Sequence, residues 1–289
     1  QPAYGIRLQQ VTGAYITNVD VTECGTGVSI APFSSADVAF AFFTGVLADT
    51  CVSAGWHLAG EGRIGNILCN ACWAAGSSAT APAGVYSTST NVSGLTWSNG
   101  IVRSNNKHGI FIQNGANIQI LGSQIMHNSL GGSGTYHGIV IGSGVTEFII
   151  ADNNVGAGGY DELNAGSNLQ GYGILLSTST ATTFFSVHNN ILTGNVTGSM
   201  SDGTTLVSKS IRGNVGYKTE AAGKNIVETN AGGVASVDHG LAAAPNTVNV
   251  TAVNASVFLH PQISSLSATA ITFLVYSASG VTFNNSTCT

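Results

Sequence analysis

A glycine followed by an apolar–x–apolar run recurs along the first two thirds of the chain. It reads Gly5-Ile6-Arg7-Leu8, Gly27-Val28-Ser29-Ile30, Gly55-Trp56-His57-Leu58, Gly84-Val85-Tyr86, Gly109-Ile110-Phe111-Ile112, Gly138-Ile139-Val140-Ile141 and Gly173-Ile174-Leu175-Leu176. Alternation at period two predicts a short strand at each place, with one face buried. Successive copies start 22, 28, 29, 25, 29 and 35 residues apart. A second strand follows each, as in Ala14-Tyr15-Ile16, Asn117-Ile118-Gln119-Ile120, Glu147-Phe148-Ile149-Ile150 and Phe184-Phe185-Ser186-Val187. A polar corner and one more apolar residue complete the unit. Aligned on that residue, the corner column reads Asp20, Gly45, Asn70, Gly100, Gln124, Asn154, Asn190 and Asn214. Asn, Asp and Gly tolerate the left-handed backbone of a sharp corner. Stacked Asn side chains can also hydrogen-bond to those above and below.

β-branched and turn residues dominate, and no helical periodicity is visible. The fold expected is all-β: a right-handed parallel β-helix of about eight coils over 1–217. No coil buries its apolar face alone, so neighbouring coils supply the core. The rhythm breaks at Gly216-Tyr217-Lys218-Thr219-Glu220, and 218–232 reads as a linker. Short β runs at Val234–Val237, Thr247–Val253, Ile271–Tyr276 and Gly280–Phe283 predict a small C-terminal β-sandwich-like domain over 233–289, for trimerisation or glycan contact. A core that small is marginal by itself.

Composition narrows the function. Only 7% of the 289 residues are charged and the formal net charge is −5, where ordinary soluble domains carry about 25% charged residues. No nucleic-acid partner is expected, because that needs a basic footprint. No apolar run approaches the roughly 18 residues of a membrane span, so no membrane insertion is expected. The start, QPAYGIRLQQ, lacks a signal-peptide pattern and reads as a mature chain or a fragment. The cysteines are Cys24, Cys51, Cys69, Cys72 and Cys288. They read mainly as small buried fillers. Cys69-x-x-Cys72 has metal-ligand spacing, but no second pair follows at zinc-ribbon distance. No cofactor and no metal are expected.

The strand–corner–strand pattern resembles the pectate-lyase-like β-helix superfamily. The junction, Asn214-x-Gly216-Tyr217-x-Thr219-Glu220-x-x-Gly223 followed by Val237-x-His239-Gly240-Leu241 and Pro245, is similar to that of phage and prophage tailspike-like proteins. The resemblance implies an extended homotrimeric virion-tail or extracellular protein that meets a host cell-surface polysaccharide. Some members of the family cleave their glycan and others only bind it. Fold alone does not decide between these.

Candidate residues come from the strand columns and the loops. The outward column of the first strand is Arg7, Ser29, His57, Tyr86, Phe111, Val140 and Leu175. His57, Tyr86 and Phe111 could stack on sugar rings. The same column fits a subunit interface, a reading that Val140 and Leu175 favour. The outward column of the third strand reads Glu23, Ala48, Trp73, Arg103, His127, Ala157 and Thr193, with Asp49 one step on. Trp73, Arg103 and His127 are its glycan-binding candidates, against an ordinary solvated face. The insertion from Val155 to Tyr172 holds Tyr160, Asp161 and Glu162. Glycoside hydrolysis needs a carboxylate pair, and the candidates are Asp161 and Glu162, then Glu61 and Asp49, then Asp152.

His239, with no Ser or Cys nucleophile near it in sequence, reads as structural. The leading function is a tailspike-like polysaccharide binder with endo-acting depolymerase activity, a glycoside hydrolase before a lyase. The alternatives are a non-catalytic structural or adhesive β-helix and a secreted bacterial polysaccharide lyase or epimerase.

Overall fold

The computed structural model describes residues 2–156, 169–177, 184–205, 208–219, 227–228, 234–242, 244–245, 247–249, 259–277 and 287–288. It divides into two units, Gln1–Gly216 and Tyr217–Thr289. The first is a parallel β-helix.

Three parallel sheets wrap the first unit. Sheet A begins with Tyr4–Leu8 and Thr26–Ile30, and ends with Tyr172–Leu176 and Gly198–Asp202. Sheet B runs from Val11–Thr17 through Asp37–Thr44 to Phe184–His188 and Lys209–Arg212. Sheet C stacks Asp20–Thr22, Leu47–Asp49, Trp73–Ala75, Ile101–Arg103, Gln124–Met126 and Asn154–Gly156, and single bridges extend it through Ile191 to Val215. One long strand, His108–Leu121, serves A with its first half and B with its second. Among the described residues sheets A and B thus have eight levels each, in accord with the coil count expected from the repeat.

The glycine repeat sets the register of sheet A. Val28, Trp56, Val85, Ile110, Ile139 and Ile174 lie in one column, and Arg7, Ser29, His57, Tyr86, Phe111, Val140 and Leu175 in the next. Inside, Trp56 packs edge-on against Phe43 and Trp97, at 5.0 and 5.4 Å between ring centroids. Higher up, Phe148 and Phe185 stack at 4.6 Å. Such rings fill the coil interior, which no single coil could bury.

The corners are sharper than the aligned column suggested. Between sheets B and C, Asn18, Gly45, Ala71, Asn99, Gly122, Asp152, Asn189 and Gly213 have φ from 52° to 62°. Of the expected column only Gly45 holds this position. Asn70 falls one residue before it, Gly100, Asn190 and Asn214 one after, and Asp20, Gln124 and Asn154 two after. A second left-handed column, between C and A, is Glu23, Thr50, Gly76, Ser104, His127 and Gly194.

Just beyond each corner the chain turns a side chain inward. On the B–C side, Asn153 donates to Asn190 Oδ1 and Asn190 to Asn214 Oδ1, both at 2.9 Å through Nδ2. On the C–A side, Asn105 donates to Asn128 Oδ1 and Asn128 to Gln170 Oε1, each at 2.8 Å, and Gln170 donates to Asn195 Oδ1 at 3.1 Å. Buried amides are tolerable because each pairs with its neighbours.

The repeated glycines leave room for this second ladder. A Cβ at Gly84, Gly109, Gly138 or Gly173 would stand 2.5 to 2.9 Å from the amide nitrogen of Asn105, Asn128, Gln170 or Asn195 respectively.

In the second unit, Val234–Asp238 and Leu259–Leu266 flank Ala270–Ser277 in an antiparallel sheet, and Val227–Glu228 pairs with Thr287–Cys288. The runs expected at Val234–Val237 and Ile271–Tyr276 are strands. Of Thr247–Val253, residues 247–249 are not in a strand. The rest of it and Gly280–Phe283 lie outside the described residues. Leu259–Leu266 was not foreseen because Pro261 interrupts it. Its edge position spares that residue the need for a ladder N–H. His239, expected to be structural, makes two local hydrogen bonds. Its Nδ1 accepts the Leu241 N–H at 2.9 Å, which leaves Nε2–H for the Ser267 carbonyl at 3.2 Å.

Candidate functional site: a column of rings on sheet A

Parallel, in-register strands lie about 4.8 Å apart, so equivalent side chains must stack. On the outer face of sheet A this brings rings together. His57 and Tyr86 are 5.3 Å apart at 7° between planes, and Tyr86 and Phe111 are 5.4 Å apart at 33°. Phe111 meets His108 edge-on at 5.6 Å. His108 in turn touches Tyr136 at 5.2 Å and His137 at 5.3 Å, and His137 touches Tyr172 at 5.6 Å. Seven half-buried rings thus form one continuous contact path.

Sequence reasoning found three of the seven. His108, His137 and Tyr172 each stand directly before a repeat glycine, a column the reading passed over. Tyr136 is the residue before His137.

Backbone hydrogen bonds fix the imidazoles. His108 Nδ1 accepts the His137 N–H at 3.0 Å, and His137 Nδ1 accepts the Tyr172 N–H at 3.1 Å. Each ring is therefore the Nε2–H tautomer, a donor at its free edge. Burial opposes a charge on both. With the nearby His137 and Lys107 adding to it, burial lowers the His108 pKa to about 4. Burial lowers His57 and His137 as well, and raises the Tyr86 phenol. His57 Nε2 is 3.3 Å from Thr88 Oγ1, and Tyr86 donates to Gln113 Oε1 at 3.3 Å. At neutral pH the column is uncharged. It offers ring edges, hydroxyls and N–H donors, but neither a cation nor a carboxylate.

The column differs from the expected one at its ends. Ser29 and Val140 are buried, at 2% and 4% exposure, so they add nothing to an outer ridge.

The third-strand candidates do not form one outward column. Trp73 is the first residue of its sheet C strand and Arg103 the last of the next. The Arg103 guanidinium still lies over the Trp73 ring, 5.8 Å from its centroid. Ala48 points inward and is fully buried. His127 is buried too, which overturns its reading as an exposed glycan contact. The left-handed backbone at His127 breaks the alternation that would have turned it outward.

The described candidate carboxylates Asp49, Asp152 and Glu61 lie on different elements. Asp49 ends a sheet C strand on the second level, and Asp152 occupies the B–C corner of the sixth. Four levels separate them, about 19 Å at ~4.8 Å per level. Glu61 is exposed on the turn between sheets A and B of the third level. Glycosidase pairs lie roughly 5–9.5 Å apart. Tyr160, Asp161 and Glu162 lie outside the described residues. Among the described residues no three His, Cys, Asp or Glu group as a metal site.

No family model matches the chain, and no curated protein matches it. Solved structures do. The tailspike protein gp49 from Pseudomonas phage LKA1 aligns over 99% of this chain and 59% of its own, at 12% identity and a TM-score of 0.55. The periplasmic alginate epimerase AlgG aligns over 70% of this chain and 50% of its own, at 12% identity and a TM-score of 0.50. This chain therefore spans between half and three fifths of the length of these structures. At such identities the likeness is one of fold. The resemblance read from the strand–corner pattern holds at that level.

Proposed function

We propose that the chain is a tailspike-like protein of a virion tail or extracellular setting that binds a host cell-surface polysaccharide along the ring column of sheet A, as a homotrimer. The observation that carries this is the path from His57 to Tyr172. It is long, uncharged and edged with donors, as a hydroxyl-rich polymer running parallel to the β-helix would need. The fold likeness to a phage tailspike and to an alginate epimerase supports the same substrate class.

A second reading adds endo-acting cleavage with Asp161 and Glu162 as the acid pair. One observation favours it. The insertion that holds them returns at Leu169 and Gln170, directly before Tyr172 at the end of the column. Incubating the chain with capsular and O-antigen polysaccharides separates the readings. Retention on a polymer that keeps its length supports binding alone. Shortened polymer with new reducing ends supports a hydrolase, and an unsaturated ultraviolet-absorbing product a lyase. No retention and no shortening across the panel would overturn both.

A further inference from the structure

The antiparallel sheet of the second unit has one apolar face, and the chain covers only part of it. Directly opposed residues of an antiparallel pair share a face. Two rows therefore cross the sheet on one side, Ala235–Phe273–Ile263 and Val237–Ile271–Leu266. Between them, on the opposite side, runs Ser236–Thr272–Ser265. Burial falls away along the apolar rows. Ala235 and Phe273 are each 3% exposed, Val237 and Ile271 are half-buried, and Ile263 and Leu266 reach 38% and 39%. Every residue from Gln262 to Thr269 is exposed.

Charge and hydrogen bonding decide what fits the open margin. No Asp, Glu, Lys or Arg lies after Asp238. A charged partner would bury its charges here without a counter-charge, which is strongly unfavourable. A hydroxyl-rich glycan would find no donor or acceptor side chain in either apolar row. A second copy of the same uncharged segment meets neither obstacle. The free edge of the sheet is guarded against strand addition. Pro261 lacks an N–H, and the ladder to Ala270–Ser277 shifts between Ile263 and Ser265. Both features block edge-to-edge pairing, so the face, rather than the edge, is left to make the contact.

We infer that the Ile263–Leu266 margin of this face packs against the same margin in other copies of the chain, an assignment that rests on the homotrimer reading above and names its contact. Residues at a margin can meet their own equivalents round a rotation axis, and a closed ring leaves no copy with an uncovered face. Ile263 and Leu266 of the copies then share one apolar cluster. Association of this kind supplies the core that so small a domain lacks by itself.

Sedimentation equilibrium of the full chain tests this. The wild type should be a trimer. Ile263→Glu combined with Leu266→Glu sets like charges round the axis and should give monomers with an unchanged far-ultraviolet circular dichroism spectrum. Ser236→Glu, on the opposite face, should stay trimeric. Should the double Glu variant fail to fold, Ile263→Ala combined with Leu266→Ala removes apolar contact without adding charge, and should weaken association about tenfold or more. A monomeric wild type would remove the homotrimer reading and this contact with it. A trimeric wild type whose Glu and Ala variants associate as tightly would overturn the contact alone. Variants that stay trimeric but lose retention on a polysaccharide would give the face to the glycan, and would overturn it too.

Discussion

The imidazole of His57 and the phenol of Tyr86 lie face to face, 5.3 Å between centroids and 7° from parallel. Each ring therefore covers a face of the other. A sugar cannot stack on those faces from the side. A sugar bound there would meet the ring edges, the hydroxyls and the imidazole N–H groups. This makes the column a hydrogen-bonding rail rather than an open aromatic platform.

The stack also has a stability consequence. Tyr86→Ala removes ring contacts to both His57 and Phe111. Aromatic pairs contribute about 0.5–1.5 kcal/mol each beyond area, so the loss should be roughly 1–3 kcal/mol in chemical denaturation. Tyr86→Phe should recover most of it.

Acid should weaken the same region. His57, His108 and His137 have folded pKa values below the unfolded value of about 6.5. Between the two values the unfolded chain binds more protons, so stability falls as pH falls. The decline should begin near pH 6.5. The His108 contribution should level off below its folded pKa of about 4. His108→Asn keeps an acceptor for the His137 N–H and removes the titrating ring. Denaturation midpoints from pH 7 to 4 should fall less steeply in this variant than in the wild type.

The amide ladder should be intolerant of truncation. Asn190 donates to Asn214 Oδ1 and to the Ile150 carbonyl, and its Oδ1 accepts from Asn153. Asn190→Ala leaves these buried partners unsatisfied, at about 1–3 kcal/mol each. A loss of several kcal/mol in urea unfolding is expected, larger than for Asn99→Ala at the exposed corner.

Two glycines should respond for different reasons. In Gly109→Ala the new methyl meets the Gly138 carbonyl at 2.6 Å and both Asn128 Nδ2 and Ile125 Cγ2 at 2.8 Å. The backbone oxygen cannot move aside, so Gly109→Ala should unfold the coil at markedly lower denaturant. At Gly13 a methyl meets nothing within 4 Å, but φ is 79°. Its cost should be only the roughly 1–2 kcal/mol of a left-handed residue.

The register of sheet A was legible because alternation and a glycine were both present in each copy. The corner was not, since alignment on an apolar neighbour leaves one or two residues of freedom. Ala71 carries a left-handed φ with no sequence mark at all. His127 looked like an exposed ligand for the same reason, because strand alternation was carried one residue past the end of the strand. His108, His137 and Tyr172 were recoverable from their place before the glycines. Their joining with Phe111 was not, because it depends on how the chain enters each strand.

The claim that the ring column is the glycan-binding surface is tested most directly by one binding comparison. Wild type, Tyr86→Ala and Tyr15→Ala, each checked for a cooperative unfolding transition, are measured against the polysaccharide that retains the wild type most strongly. Tyr15 is 78% exposed on sheet B, away from the column, and serves as the control. The account predicts that Tyr86→Ala weakens binding about tenfold or more, or about 1.4 kcal/mol, while Tyr15→Ala binds as the wild type does. Equal binding by all three, or a loss confined to Tyr15→Ala, would contradict it.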